Sequence, residues 1–116
     1  MVTGQMESVL SDEDLRSAFA GGTLAVLVTR ARSKALFEEL VGEAARLGIP
    51  VTGFFMDEGV TLLSDQAWVR SLPEGRYAAC DVSARRRGVE PPERIIAGGQ
   101  YQNATMVHDA ARVVSL

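Results

Sequence analysis

Hydrophobic and polar positions follow two rhythms along this chain. Leu24-Ala-Val-Leu-Val-Thr29 is a continuous apolar run bounded by Gly21-Gly22 and Arg30. A run without polar alternation predicts a strand buried on both faces. Ser33 then opens a different pattern: Leu36, Phe37, Leu40, Val41, Ala44 and Leu47 recur at intervals of three and four, while Glu38, Glu39, Glu43 and Arg46 face elsewhere. That spacing predicts an amphipathic helix, closed by Gly48 and kept from continuing by Pro50. Val51-Thr-Gly-Phe-Phe-Met56 is a second buried strand, ending in the turn residues Asp57-Glu58-Gly59. Strand, helix and strand within about thirty residues make a βαβ unit. Such a unit implies a parallel sheet and a right-handed crossover.

The same reading carries on to the end of the chain. Val60 to Leu63 packs after the turn, and Ser64-Asp65-Gln66 starts a short helix through Ser71 that Pro73-Glu74-Gly75 ends. Tyr77 to Cys80 is a third strand, followed by a helical turn to about Arg87 and a stop at Gly88. After the rigid loop Glu90-Pro91-Pro92-Glu93, Arg94-Ile-Ile-Ala97 reads as a short fourth strand ending at Gly98-Gly99. Asn103 is the expected cap of a last helix to about Ala111, and Arg112-Val-Val-Ser115 a fifth strand. Ahead of all this, Ser11 followed by Asp12, Glu13 and Asp14 is a helix start, with Gly21-Gly22 as its stop. Residues 1–22 thus form an N-terminal arm, either docked or partly disordered, before a single domain at 23–116. Five alternations of strand and helix argue for the α/β class: a three-layer sandwich around a mainly parallel five-stranded sheet.

Composition narrows the function classes. With 116 residues the chain is long enough for one self-sufficient core, and its 47% hydrophobic and 23% charged content is that of a soluble globular protein. A net charge of −3 offers no electrostatic footprint for nucleic acid. One cysteine excludes an intramolecular disulfide and suits a reducing, cytoplasmic setting. Residues 1–22 have no basic start followed by an apolar core, so no secretory signal is expected. The run Leu24 to Val28 is too short to cross a bilayer, so no membrane partner is expected.

In parallel sheets, reactive groups gather beyond the carboxyl ends of the strands. Those ends are Thr29, Arg30 and Arg32; Asp57, Glu58 and Gly59; Cys80, Asp81 and Ser83; and Gly98 to Tyr101. Cys80 stands where a strand gives way to a helix, so local N–H groups favour its thiolate. Arg85, Arg86 and Arg87 add positive potential, against Asp81. The plain alternatives are a buried, inert cysteine and a solvated arginine face, and Arg30 and Arg32 divide the same way. His108, the only histidine, reads as a surface or packing residue rather than a proton shuttle to Cys80. Gly98-Gly99 lacks the spacing of a phosphate loop and reads as a tight turn. Trp68, Phe37, Phe54 and Phe55 read as core, and Asp57 and Glu58 as turn formers with solvated charges.

Four segments then carry a resemblance. Leu24 to Thr29, Val51 to Leu63 with its Glu58-Gly59-Val60 turn, Cys80-Asp-Val-Ser-Ala-Arg-Arg-Arg-Gly88-Val89 and Asp109 to Leu116 resemble, in the same order, the DsrE/TusD (DsrE/DsrF/DsrH) family of sulfur-transfer proteins. The chain departs from it in a short 60–75 segment, in Asp81 where an apolar residue stands, and in residues 1–22. The resemblance implies a catalytic Cys80 that accepts a sulfane sulfur as a persulfide from a donor protein and passes it to a DsrC/TusE-like acceptor. It also implies a homo-oligomer (dimer, trimer or hexamer). On this reading Arg85, Arg86, Arg87, Arg30 and Ser83 are the thiolate-stabilising or partner-facing residues, and the chemistry uses no cofactor and no metal. Two other readings stand beside it: a non-catalytic oligomeric scaffold of the same fold, and a small-ligand-binding α/β domain.

Overall fold

The computed structural model describes residues 11–19 and 21–116, so residues 1–10 and 20 of the arm lie outside the described residues. Helix α1 (Asp12–Phe19) begins as its sequence predicts. The Ser11 hydroxyl accepts the Asp14 N–H at 3.0 Å, and the Asp14 carboxylate accepts the Ser11 N–H at 3.2 Å. This reciprocal cap satisfies two otherwise orphaned donors. The helix is docked. Arg16 donates to the Leu47 carbonyl at 3.0 Å, Arg46 grips Asp12 through both its terminal nitrogens, and Leu15 and Phe19 lie against the core.

From there strands and helices alternate: β1 (Thr23–Val28), α2 (Lys34–Leu47), β2 (Val51–Phe55), α3 (Gln66–Ser71), β3 (Arg76–Cys80), α4 (Asp81–Arg86), β4 (Ile96–Gly98), α5 (Gln100–Asp109) and β5 (Ala110–Ser115). Tight 3-10 turns at Ala31–Ser33 and Asp57–Ser64 lead into α2 and α3. The five strands form one sheet in the order β4-β3-β2-β1-β5, and every pairing is parallel. With helices on both faces, this is the three-layer α/β sandwich that the alternation predicts.

Register divides the strand residues between two faces, because successive side chains point to opposite sides. Val26, Val28, Phe55, Tyr77 and Ala79 share one face with the buried stripe of α2, Phe37, Val41, Ala44 and Leu47, and with Val60, Leu63 and Trp68. Phe37 lies at its centre, with ring centroids 5.3 Å from Phe55, 5.9 Å from Trp68 and 6.4 Å from Tyr77. The other face carries Leu27, Phe54, Ala78 and Cys80. Among the described residues, the helix that adds a side chain to this smaller cluster is α5, through Met106.

Several boundaries differ from the sequence reading. The last helix ends at Asp109 rather than about Ala111, so β5 starts at Ala110 rather than Arg112. Two further differences have a clear physical cause. The fourth strand starts at Ile96, not Arg94. Arg94 instead turns toward the end of α3 and donates to the carbonyls of Val69, Leu72 and Pro73 at 2.7, 2.9 and 2.6 Å, while lying 5.0 Å over the Tyr77 ring. Carbonyls at a helix C-terminus have no partner within the helix, and one planar guanidinium supplies it here. The last helix starts at Gln100, three residues before Asn103. Gly99 precedes it with no side chain to cap it, which hides the start from a search for capping residues.

Candidate functional site: Cys80 at the carboxyl edge of the sheet

β3 runs straight into α4, and Cys80 is the hinge between them. As the residue before the helix, it places its sulfur over the first turn, where Sγ accepts the Ser83 N–H at 3.5 Å. Ser83 is itself buried, and its hydroxyl oxygen accepts the Asp57 N–H at 2.9 Å. That acceptance leaves the hydroxyl proton free to point at the sulfur. Ser83 therefore ties the end of β2 to the thiol at the end of β3.

The loop after β2 is shaped to make that contact. Asp57 has φ 50, in the left-handed region that few residues other than glycine tolerate. A Cβ on Gly59 would lie 2.1 Å from the Val28 carbonyl oxygen, so only glycine lets this turn close on the end of β1. The Glu58 carboxylate is exposed, as expected from the sequence, and also accepts the Ala31 N–H at 3.0 Å, which pins the next loop. Thr29 donates twice to the Leu116 carbonyl, from its N–H and its hydroxyl, each at 2.8 Å. The ends of β1, β2, β3 and β5 are thus joined around the site.

Cys80 is 7% exposed. Burial pushes its thiol up, because desolvation disfavours the anion. The Ser83 hydroxyl and the N–H groups of Ser83 and Val82 push it down more strongly, since each donates to the charged form, while the Asp57 carboxylate opposes them. The balance leaves the thiol below its ordinary value. A lowered thiol at a strand–helix junction is the setting of a nucleophilic cysteine.

The structure brings Cys80 and Ser83 together. It places the arginines outward: Arg85 pairs with Asp81 four residues back, and Arg86, Arg87, Arg30 and Arg32 are exposed. His108 is exposed in the last turn of α5, beside Asp109, with its Nδ1 3.1 Å from that carboxylate. That turn leads into the start of β5, at the opposite edge of the sheet from Cys80.

Sequence reading missed Gln102. Gly98 is the cross-strand partner of Cys80. A Cβ on Gly98 would lie 2.8 Å from the Cγ, Cδ and Oε1 of Gln102, so the absent side chain makes room for the Gln102 amide alongside the cysteine. Nothing in the local sequence couples a helical glutamine to a glycine four residues earlier; only the register does.

No protein-family model and no curated protein matches the chain. The chemistry is therefore argued from the residues themselves. Among the described residues no helix is long and apolar enough to cross a membrane, and no group of three or more His, Cys, Asp or Glu could hold a metal ion.

Proposed function

We propose that this protein is a sulfur carrier in which Cys80 bears a persulfide. The observation that carries this reading is the set of donors converging on Sγ from Ser83 and Val82, which outweighs burial and holds the thiol below its ordinary value. An unperturbed thiol is only about 3% ionised at pH 7, so such a shift multiplies the attacking species. The Cys80 thiolate attacks the terminal sulfur of a donor persulfide and becomes Cys80–S–SH. A cysteine of an acceptor protein then attacks that outer sulfur and restores the thiolate. The resemblance to the DsrE/TusD family supports the same reading, with a donor protein, a DsrC/TusE-like acceptor, a homo-oligomeric assembly and a cytoplasmic setting.

A scaffold reading rests on a different observation. Cys80 is 7% exposed, while Ile96 and Val113, on the face it occupies, are 45% and 43% exposed and could be covered by another subunit. The pH dependence of Cys80 alkylation in the native protein separates the two. A carrier reacts with a midpoint below that of an ordinary thiol, and Cys80→Ser abolishes labelling. A scaffold cysteine reacts only once the protein unfolds.

A further inference from the structure

The face of the sheet that carries Cys80 also carries a cavity of about 690 Å³ beneath α5. It is a size suited to a small-molecule ligand, which typically occupies roughly 300–1,000 Å³. Thr52 and Ala78 form part of its floor, and Gln102 and Met106 part of its wall. It opens at the amino ends of β1, β2 and β3, where Thr23, Val51 and Arg76 line it. Cys80 does not line it; the lining that comes nearest to Cys80 is Ala78, Gln102 and Met106. Ala78 lies two residues before Cys80 on the same face of β3, about 7 Å along the strand. Met106 packs against the Cys80 cluster, and Gln102 lies over the partner residue Gly98. Both are unbranched side chains with several rotatable bonds.

The lining has unmet needs. The Thr52 hydroxyl oxygen is buried and has no hydrogen-bond partner. Its register partner Arg76 is exposed on the same face, and no carboxylate of the described residues lies within ion-pair distance of it. Glu74 and Asp109 line the same cavity, so its polar lining offers both signs of charge. The remaining lining on this face includes Ile96 and Tyr101, an apolar surface for the body of a ligand.

We infer that the cavity binds a low-molecular-weight, amino-acid-derived persulfide that serves as a sulfur donor to Cys80. Its carboxylate meets Arg76 and the Thr52 hydroxyl, its ammonium meets Glu74 or Asp109, and its sulfur end reaches past Gln102 and Met106. The Cys80 thiolate attacks the outer sulfur of R–S–SH. A bond forms between Sγ and that sulfur, the bond from that sulfur to the R–S sulfur breaks, and R–S⁻ leaves with the electron pair and takes up a proton. The sulfane sulfur passes across unchanged in number, so no outside oxidant or reductant is needed. This inference rests on the carrier reading of Cys80, but binding can be measured without it.

The binding probe is S-methylglutathione, which has the zwitterionic body and no transferable sulfur, titrated into Cys80→Ser and followed by amide NMR shifts. The inference expects saturable shifts at Thr52, Ala78, Gln102 and Met106, weakened about tenfold by Arg76→Ala and also by the near-isosteric Thr52→Val. The transfer measurement compares glutathione persulfide with the neutral persulfide of 2-mercaptoethanol on the unmodified protein. Saturation with the zwitterionic donor alone, and a fall of about tenfold in the ratio of the two rates in Arg76→Ala, support the inference. Absence of shifts at these residues, or equal and unsaturable rates from both donors, overturns it and leaves Cys80 a carrier fed by other donors. Shifts without any sulfur uptake by Cys80 overturn the donor role and the carrier function together.

Discussion

The two faces of the sheet are built from neighbouring residues of the same strands, yet they are finished differently. Phe55 and Tyr77 point into a continuous aromatic and aliphatic core closed by α1, α2 and α3. Phe54 and Ala78, one residue away from each, point into a small cluster with Cys80, whose cover is α5. The first face has its largest side chains fully buried and its polar ends tied off: Trp68 Nε1 donates to Glu38 at 2.6 Å, the Tyr77 hydroxyl donates to the Pro73 carbonyl at 2.8 Å, and Arg94 holds the end of α3. The second keeps a cavity, a buried hydroxyl without a partner and the free cysteine. Packing is complete on the first face and incomplete on the second, which carries the cysteine. A small domain can hold a poorly filled site on one side because the other side carries the folding free energy.

The largest effect expected from that division is on the closed face. Phe37→Ala should destabilise the protein by about 3–5 kcal/mol, as truncation of a fully buried aromatic does. Met56→Ala, on the half-buried second face, should cost less than half as much. Urea denaturation of both variants compares the faces directly, and equal losses would remove the distinction. Next in size is Arg94→Leu, which removes one donor from each of three carbonyls at the end of α3. Of these, the Val69 carbonyl keeps the Leu72 N–H and the Pro73 carbonyl keeps the Tyr77 hydroxyl. A loss of about 1–3 kcal/mol is expected, read from the same denaturation midpoints, with Cys80 alkylation in the folded state unchanged.

How much of this division could be read from the sequence depends on the face. The apolar runs of β1 and β2 and the stripe of α2 announce the closed face, because a full core imposes periodicity on everything that touches it. Cys80 could be placed at a strand's carboxyl end for the same reason. The second face left few marks. α5 has no strong apolar stripe, since it covers a cavity rather than a core, and the uncapped Gly99 start disguised where it begins. Arg94 looked like the edge of a strand because Ile95 and Ile96 follow it, although its guanidinium serves a helix more than twenty residues earlier. The Cys-x-x-Ser spacing does encode the Ser83 N–H contact to sulfur, as it would for any residue at the start of a helix. The left-handed Asp57 and the seat of Gln102 over Gly98 arise from tertiary register, and no local pattern records them.

Smaller effects sharpen the electrostatics of the open face. Ser83→Ala removes the hydroxyl that accepts from Asp57 and donates to sulfur. It should cost about 1 kcal/mol of stability and move the alkylation midpoint of Cys80 upward. Asp57→Asn keeps the backbone preference for the left-handed region and removes a carboxylate that opposes ionisation, so the midpoint should move downward, by less than in Ser83→Ala. The sign carries over to stability. A thiol held below its unfolded value adds stability that is present above the unfolded value and is lost as pH falls through the folded one. Wild type should therefore gain stability relative to Cys80→Ser as pH rises through that interval, and a flat difference between the two would contradict the lowered thiol.

The most direct test is the intact mass of the native protein after brief exposure to a persulfide donor, with Cys80→Ser alongside. The account predicts the addition of sulfur to the wild type, reversed by a thiol reductant and absent from the variant. A wild type that stays unmodified while its fold is intact would contradict it, because the sulfur atom of Cys80 would then be only part of the packing.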